Sequence, residues 1–388
     1  MCQTSSRTFV CLLVCLCFLF SFFSSNIQTF SKPPTFESEA RFRPALRRRM
    51  RGRPVLAAAV AALGALASAL RCRSVGPDEA RNELSGPAAA GFHSFRERFR
   101  REHEVSSGEL ERRHLYFQDA AKRHALLNSF SAAPESAKYG INQFSDLSQE
   151  EFRDLYLRAS SDRAAPFTGL KTEGLPAKFD WRDKAVVAPV QNQQACGSCW
   201  AFSVVGAMQS VHAIGGSRLE QLSVQQILDC SFENQGCNGG SPFRALNWLK
   251  QTRVKLVPQS EYPYKARTGI CHFFSQSHDG VAVKNFTAHD FGGQEEAMMG
   301  QLVERGPLAA VVDAVSWQDY MGGIIQHHCS SQCSNHAVLV IGYDTTGDIP
   351  YWIVQNSWGT TWGNEGYVYI KTGGNICGIA DFVAAVSL

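Results

Sequence analysis

The clustering of cysteines constrains the fold of this chain more than any other feature of its sequence. Eight of the 13 cysteines lie within residues 196–377, and the other five lie in the first 72 residues. So many thiols in one stretch are typical of a loop-rich domain that is held by disulfides and folds in an oxidising compartment. A chain of 388 residues with 44% apolar side chains also has enough material for two or three folding units.

Charge divides the chain near residue 174. Residues 175–388 carry 13 Lys and Arg against 17 Asp and Glu, a net charge of −4, whereas residues 1–174 carry 25 against 18, a net charge of +7. A basic half and an acidic half are not typical of a nucleic-acid binder, so we expect no nucleic-acid partner. The basic half is instead expected to lie against the acidic half.

Two apolar runs, residues 9–23 and 55–70, mark the N-terminal region. Neither reaches the roughly 20 residues that a spanning helix needs, so no stable membrane span is expected. The second run has a basic stretch starting at Met50, a short apolar part and small residues at its end, which is the layout of a secretory signal peptide. We predict an upstream extension at 1–49 and a signal peptide at 50–70, with a signal anchor or an organelle transit peptide as alternatives.

Residues 71–174 form a charged segment without the cysteine cluster. Its part 92–128 is mostly helical in pattern, and Ser148–Glu151 reads as a capping box that opens a short helix. Residues 158–174 are small, polar and rich in helix breakers, which predicts an exposed linker that a protease could cut.

From Leu175 onward the sequence becomes aromatic, Gly-rich and Cys-rich. Residues 199–213 are apolar on nearly all sides, which predicts a buried central helix with Ser198 as its N-cap. After about residue 280 the pattern turns to β-type runs such as 337–344. A helical half followed by a strand-rich half predicts an α+β domain of two lobes.

The stretch Cys196–Trp200 carries the clearest chemical signal. A thiol at Cys199, in the first turn of a buried helix, lies at the positive end of the helix dipole, which lowers its pKa toward the reactive thiolate. Such a nucleophile needs a base, and the base needs an orienting group. His336 and Asn356 lie 137 and 157 residues further on. An Asn that accepts a hydrogen bond from one imidazole nitrogen would fix the tautomer and aim the other nitrogen at sulfur.

These residues lie in blocks that resemble the papain family of cysteine proteases. QNQQACGSCWAF, SNHAVLVIGY and VQNSWGTTWG are similar to the three active-site blocks of that family. The resemblance implies a papain-like fold with Cys199 as the nucleophile, His336 as its base and Asn356 as the orienting group. It implies Gln193 and the Cys199 backbone N–H as donors to the oxyanion. Trp358 would cover the hydrogen bond between His336 and Asn356.

The resemblance also implies a disulfide framework in both lobes. The pairs are Cys196–Cys237, Cys230–Cys271 and Cys329–Cys377, each contributing roughly 2–4 kcal/mol. Cys333 is then left as a free thiol or as a competitor of Cys329. The stretch from His327 to His336 has enough soft ligands to suggest zinc. We expect no metal and no cofactor, because His336 already has a role and Cys329 a partner.

Substrate-binding residues follow from the same resemblance. Gly239 and Gly240 match the strip at which a peptide backbone pairs with the enzyme, where a side chain would block close approach. The pocket for the second residue before the cut is implied to be lined by Ser241, Pro242, Asn335 and Phe382. Phe382 at the floor would make this pocket shallow and apolar, with a ring turned into the core as the alternative.

The segment before the domain resembles the inhibitory prosegment of the family. Its interspersed E-R-F-N-I-N pattern is matched at Glu109, Arg113, Phe117 and Asn128. Ala120 and His124 depart from the pattern, which puts the packing of that helix face in question. The G-x-N-x-F-x-D motif is complete, at Gly140, Asn142, Phe144 and Asp146. In this family the prosegment crosses the cleft in reverse and inhibits until it is removed.

These features predict a cysteine endopeptidase made as an inactive zymogen, which hydrolyses peptide bonds by thiolate attack through an acyl-enzyme. We expect four units: the extension 1–49, the signal peptide 50–70, the prosegment 71–174 and the peptidase domain 175–388. Expected partners are protein and peptide substrates, the chain's own prosegment and cystatin-type inhibitors, with the enzyme a monomer.

The predicted route is the secretory pathway to the lysosome, or to the outside of the cell, and the sequon at Asn285 would carry a glycan there. Two other classes compete with a protease. A non-catalytic papain-fold binding protein would have lost Cys199, His336 or Gln193. An acyl transferase of the transglutaminase type would lack the prosegment and the glycine strip.

Overall fold

Helices and strands separate along the chain much as the sequence predicts. The structure, a computed structural model, describes residues 87–99, 106–130, 133–169, 173–272, 280–327, 329 and 334–388. The predicted extension, the signal peptide and Cys333 lie outside the described residues. All described residues belong to one unit, residues 75–388. Within them, no helix has both the length and the apolar character needed to cross a membrane.

Seven α-helices are found in the described ranges. In chain order they are α1 Pro87–Arg98, α2 Ser107–Ser129, α3 Gln149–Tyr156, α4 Cys199–Ile214, α5 Val224–Cys230, α6 Pro242–Thr252 and α7 Glu295–Arg305. Serine side chains cap four of them, because Ser106, Ser148, Ser223 and Ser241 accept hydrogen bonds from backbone N–H groups in the first turn of α2, α3, α5 and α6. Ser198 is the N-cap residue of α4, as predicted, but its hydroxyl makes no capping hydrogen bond.

The strands number eleven in the same ranges. They are β1 Lys138–Tyr139, β2 Ala165–Pro166, β3 Lys178–Asp180, β4 Asn285–Asp290, β5 Leu308–Val312, β6 Tyr320–Gly322, β7 Ile324–Ile325, β8 His336–Asp344, β9 Tyr351–Gln355, β10 Tyr367–Lys371 and β11 Val383–Ser387. The main sheet has the order β2-β4-β11-β5-β8-β9-β10-β7, with β3 pairing β8. The predicted α+β class is confirmed.

The central strand β8 separates two apolar clusters. All nine of its residues are buried. Ala337, Leu339 and Ile341 face the cluster built around α4, α5 and α6, whereas the alternate residues Val338 and Val340 face the cluster of the β-rich lobe. Since α4 packs on β8, the first residues of these two elements lie at the boundary between the lobes.

Three disulfides fix the loops around this framework. They are Cys196–Cys237, Cys230–Cys271 and Cys329–Cys377, the same pairs that the family resemblance implies. Two of them link the loop before α4 and the end of α5 to neighbouring loops, and the third links Cys329 to the loop before β11.

The segment before residue 175 folds onto the domain rather than apart from it. Helix α2 is unbroken, and both positions that depart from the family pattern are buried in it, with Ala120 at 0% and His124 at 7% exposure. Strand β1 pairs antiparallel with β6, and β2 pairs parallel with β4. This segment therefore extends the sheets of the domain.

Candidate active site

Cys199 and His336 are brought together by the two elements that meet between the lobes. Cys199 is the first residue of α4 and His336 is the first residue of β8, which pack against each other. Neither side chain is exposed to solvent. The sequence order therefore places a thiol and an imidazole at one end of the interface between the lobes.

The imidazole of His336 is oriented by Asn356. The distance from His336 Nε2 to Asn356 Oδ1 is 2.7 Å, and the same oxygen accepts from the Ser357 N–H at 2.8 Å. Because Oδ1 is an acceptor, Nε2 carries the imidazole proton and Nδ1 keeps its lone pair. Nδ1 is buried without a hydrogen-bond partner among the described residues. It is therefore free to act as a base.

Trp358 covers this pair from one side. Its ring lies 4.7 Å from the His336 ring, centroid to centroid, and is fully buried. Two rings of the preceding segment also pack edge-on against the indole, with centroid distances of 5.5 Å for Phe144 and 5.3 Å for Phe152. Water is thus kept away from the bond between His336 and Asn356.

Gln193 is held on several sides and faces a peptide carbonyl. Its backbone N–H donates to Ser357 O at 2.8 Å, and its Oε1 accepts from Ser357 Oγ at 2.7 Å. Its Nε2 donates to Cys196 O at 2.9 Å and to Tyr156 O at 3.2 Å. Tyr156 belongs to the preceding segment, so a carbonyl from that segment accepts a hydrogen bond from the Gln193 side chain.

The pKa values of the thiol and the imidazole follow from burial. Burial raises the pKa of Cys199 to about 11, although backbone N–H groups near the sulfur act in the opposite direction. Burial lowers the pKa of His336 to about 4, opposed by the hydrogen bond that His336 donates to Asn356 and by the Tyr156 backbone. The helix dipole leads us to expect a lowered thiol pKa, and the structure differs because the preceding segment covers the sulfur.

The covering segment runs through the groove between the lobes as an extended chain. Gly240 N–H donates to Arg158 O at 3.1 Å, and Ser160 N–H donates to Gly240 O at 2.8 Å. The Ala159 N–H donates to Asn335 O at 3.0 Å. The predicted binding strip thus pairs with the backbone of residues 158–160.

Glycine is required at this strip because the two backbones approach closely. A Cβ built at Gly239 would lie 2.3 Å from Arg158 O, and the φ of +121° is one that side chains rarely adopt. A Cβ at Gly240 would lie 2.8 Å from the Trp200 ring. A larger residue at Gly239 would therefore push the extended chain out of the groove, whereas one at Gly240 would collide with the domain itself.

The four residues predicted to line the substrate pocket lie near this strip. Ser241 caps α6 through its hydroxyl, followed by Pro242 at the first helical position. The Asn335 side chain donates to Asp313 Oδ1 at 2.7 Å, and the Asn335 backbone carbonyl accepts from the Ala159 N–H of the extended chain. Phe382 is fully buried in the same apolar cluster as Ala159.

Charged contacts tie α2 to the domain. Arg123 donates to both carboxylate oxygens of Asp319 at 2.6 and 3.0 Å, and His124 Nε2 lies 3.1 Å from Asp319 Oδ1. Asp319 is only 1% exposed. The departure of His124 from the family pattern thus coincides with a buried carboxylate on the domain.

A second charged contact joins α2 to α3. Arg113 donates to Glu109 at 2.7 Å, to Glu151 at 2.7 Å and to the Asp146 carbonyl at 3.0 Å. Glu109 also accepts from Arg112. These ion pairs lower the pKa of Glu109, with the Arg112 hydrogen bond as the largest cause.

Several contacts in the site were not found from the sequence. Ser357 and Tyr264 brace Gln193, and their polar side chains gave no pattern of their own. The departure of His124 from the family pattern was a signal of the contact with Asp319, since a basic residue at a buried helix position needs an acidic partner. Cys329 is in a disulfide and His336 bonds Asn356, so neither is left for the zinc site that the stretch suggested.

Comparison with known proteins gives a consistent picture. The family model described as papain family cysteine protease matches residues 175–387, and that for the cathepsin propeptide inhibitor domain matches residues 92–152. Cathepsin O from Homo sapiens is 55% identical over 282 residues, which covers 71% of this chain and 88% of the relative. Cathepsin O from Mus musculus is 56% identical over 274 residues, which covers 69% of this chain and 88% of that relative. A recombinant stem bromelain precursor has a similar structure, with a TM-score of 0.70, 32% identity and coverage of 78% of this chain and 99% of that one.

The similarity to cathepsin O agrees with the sequence. Three stretches of the sequence resemble cathepsin O, and these are LSVQQILDCS, ALNWL and AVSWQDYMGGIIQHHC, which begin at residues 222, 245 and 314. They lie in α5, in α6 and around β6 and β7. The resemblance that these stretches carry is confirmed.

Proposed function

The chain belongs to the papain family of cysteine proteases, and from that membership we propose how its own residues carry out hydrolysis. It is a cysteine endopeptidase made as a zymogen with an inhibitory propeptide. Cys199 is the nucleophile and His336 Nδ1 is its base. Asn356 holds the imidazole so that Nδ1 faces the sulfur, and Trp358 shields that hydrogen bond.

The reaction proceeds in two steps through a thioester. Cys199 gives its proton to His336, and the sulfur attacks the carbonyl carbon of the substrate peptide bond. The oxyanion that forms accepts hydrogen bonds from Gln193 Nε2 and from the Cys199 N–H. His336 then protonates the leaving amine, and water attacks the acyl-enzyme with His336 again as base.

One observation supports this assignment above the others. The Nε2 of Gln193 donates to a peptide carbonyl, that of Tyr156, while the next residues pair with the glycine strip. A peptide thus occupies the proposed substrate groove, with a carbonyl oxygen at the donor. From Tyr156 the chain then runs to Ser160 at Gly240, which is the reverse of the direction a substrate takes in this family. The segment therefore occupies the groove without being cut.

The proposed maturation removes residues 71–174 and leaves the peptidase domain 175–388. The predicted linker 158–174 is exposed only in part, because Ala159 is buried and residues 158–160 pair with backbone of the groove. Its part from residue 161 onward is the proposed cleavage region, because residues 161, 163, 165 and 166 are exposed. The extension 1–49 and the signal peptide 50–70 complete the proposed precursor. Acid pH is proposed as the trigger, since the pKa of Glu109 is lowered by Arg112 and Arg113 of the same helix, and Arg113 also pairs with Glu151 of α3.

The proposed location is the lysosome, reached through the secretory pathway, or the extracellular space. Three disulfides support an oxidising compartment. The sequon residue Asn285 is exposed at the start of β4, where a transferase could reach it. Ser241, Pro242, Asn335 and Phe382 are proposed to line the pocket for the second residue before the cut, and cystatin-type inhibitors to bind the groove of a monomeric enzyme.

Labelling with a peptidyl epoxide tests the assignment. The acid-activated enzyme should react at Cys199, as found by mapping the modified residue, and lose its peptidase activity in proportion to labelling. Cys199→Ala and His336→Ala should each abolish hydrolysis of a peptide substrate while leaving the precursor folded and exported. Turnover retained by a Cys199→Ala protein free of contaminating protease would refute the proposal.

A further inference from the structure

The hydroxyl of Tyr264 connects the two segments that present the oxyanion donors. We propose that Tyr264 is a positioning residue which holds Gln193 and the start of α4 in the geometry that binds the oxyanion. This inference rests on the proposed function, because it concerns the same reaction. It adds a residue that lies 65 positions after Cys199 and outside the sequence blocks around the site.

The direction of each hydrogen bond follows from the chemistry of its partners. Tyr264 Oη lies 2.7 Å from Gln193 O and 2.7 Å from Ser198 Oγ. A carbonyl can only accept, so the phenol proton goes to Gln193. Ser198 must then donate its own proton to the phenol oxygen. Both hydroxyl protons are thereby used, and the two segments are fixed relative to each other.

Each of the two segments carries one of the donors. Gln193 supplies its side-chain Nε2, and Ser198 directly precedes Cys199, whose backbone N–H is the second donor. Ser357 accepts from the Gln193 N–H and donates to the Gln193 side-chain oxygen, whereas Tyr264 donates to the Gln193 backbone carbonyl. A shift of either segment by a fraction of an ångström would misplace a donor in the transition state.

The Tyr264 ring is itself fixed in place. It packs edge-on against Phe202 of α4, with 5.0 Å between the ring centroids. Burial raises the pKa of the phenol, so its proton remains available for Gln193 at every pH at which the enzyme could work. The bond to Tyr264 also accounts for the missing cap of α4, because the Ser198 hydroxyl is directed to the phenol instead of to the helix N–H groups.

Loss of the Tyr264 hydroxyl should affect the transition state more than the bound substrate. The oxyanion exists only after attack by sulfur, so weaker donors lower kcat and leave KM nearly unchanged. Removal of one whole donor costs about 10²–10³ in rate. A displaced but present donor should cost less, about 10-fold in kcat.

The test compares Tyr264→Phe with Tyr262→Phe in the acid-activated enzyme. Tyr262 is a matched control, since it lies in the same Tyr-Pro-Tyr stretch and its hydroxyl also makes two hydrogen bonds, to Asp229 and to Ile270 O. Tyr264→Phe should lower kcat about 10-fold with KM changed less than 2-fold. Its affinity for a peptide aldehyde, which forms a tetrahedral adduct with the thiol, should fall by a similar factor. Tyr262→Phe should keep kcat within 2-fold.

Ser198→Ala provides a second variant if Tyr264→Phe fails to mature. It removes one of the two bonds and should lower kcat about 3-fold at unchanged KM. The inference is overturned if Tyr264→Phe, or Ser198→Ala in its place, keeps full kcat, or if Tyr262→Phe loses as much. Failure of the proposed function would look different, because the unmodified enzyme would then have no Cys199-dependent activity to compare.

Discussion

Replacement of Arg123 by Leu tests how the prosegment is held on the enzyme. Arg123 lies on α2 of the prosegment and makes two hydrogen bonds to Asp319 of the domain. The Asp319 side chain is 1% exposed and that of Arg123 is 17% exposed. The variant therefore leaves a buried carboxylate without its main partner.

The size of the effect follows from this burial. Removing one partner of a buried ion pair costs about 3–5 kcal/mol, because the remaining charge is uncompensated. His124 Nε2 stays 3.1 Å from Asp319 Oδ1 and retains part of the compensation. We therefore expect a loss of about 2–3 kcal/mol in the closed state of the precursor, which is about 30- to 150-fold in its opening equilibrium.

The opening can be measured in the intact precursor. A peptidyl epoxide reaches Cys199 only after the prosegment leaves the groove, so the labelling rate at pH 7 reports the open fraction. Arg123→Leu should raise that rate about 30- to 150-fold. Lys122→Leu is a matched control, because Lys122 is the adjacent residue and its ion pair with Asp119 is 78% and 61% exposed. It should change the rate less than 2-fold.

A rescue experiment separates charge from general loss of packing. If the unpaired carboxylate is the cause, adding Asp319→Leu to Arg123→Leu should lower the labelling rate below that of the single variant. Equal rates for Arg123→Leu and Lys122→Leu, or no rescue by the second substitution, would refute the role assigned to the buried pair.

Three further predictions concern the ion pairs, the thiol and the pocket. The pKa of Glu109 is lowered by Arg112 and Arg113, so its ion pairs stabilise the folded α2, whose Arg113 also binds Glu151 of α3, above the free value of about 4.5, and they are lost as the pH falls through the lowered value. Because α2 holds the prosegment on the domain through Arg123, Glu109→Gln should open more at pH 7 and show a smaller further rise on acidification in the labelling assay. Burial raises the pKa of Cys199 to about 11, so iodoacetamide should alkylate the precursor at least 10-fold more slowly at pH 7 than it alkylates the mature enzyme. Phe382→Ala should raise the ratio of kcat/KM for substrates with Phe to kcat/KM for substrates with Val at the second position before the cut, because a buried ring is removed from the proposed pocket floor. If this ratio does not change, the ring belongs to the core and not to the pocket.

Local patterns were sufficient for the elements that carry the proposed catalytic residues. The apolar run that begins at Cys199 forms α4, and the run after His336 forms β8, because a fully apolar segment must be buried whatever lies around it. The serines at 148 and 223 cap helices since their oxygens satisfy nearby N–H groups. Both features depend on residues within one or two turns, which a sequence displays directly.

Features that depend on distant residues were not predicted. Arg123 and Asp319 are 196 residues apart, so no local pattern could pair them. The Ser198 hydroxyl bonds Tyr264, 66 residues later, instead of capping α4. The thiol pKa was expected to be low because the helix dipole is local, but a chain segment 40 residues earlier covers the sulfur and raises it. Tertiary contacts decide such properties.

The neutral state of the catalytic pair gives the precursor a further response to acid. Burial lowers the pKa of His336 to about 4 from its ordinary 6.5, so the closed state excludes the proton that an opened state binds. The closed precursor therefore keeps its full stability relative to the opened one above pH 6.5. It loses stability as the pH falls toward 4, by an amount on the order of 3 kcal/mol. The test compares a Cys199→Ala precursor with a Cys199→Ala/His336→Gln precursor, and opening is measured as the rate at which an added protease cuts the prosegment. The ratio of the two rates, first variant over second, should rise by about two orders of magnitude when the pH falls from 6.5 to 4. A ratio that stays constant with pH would show that charging of His336 does not contribute to release.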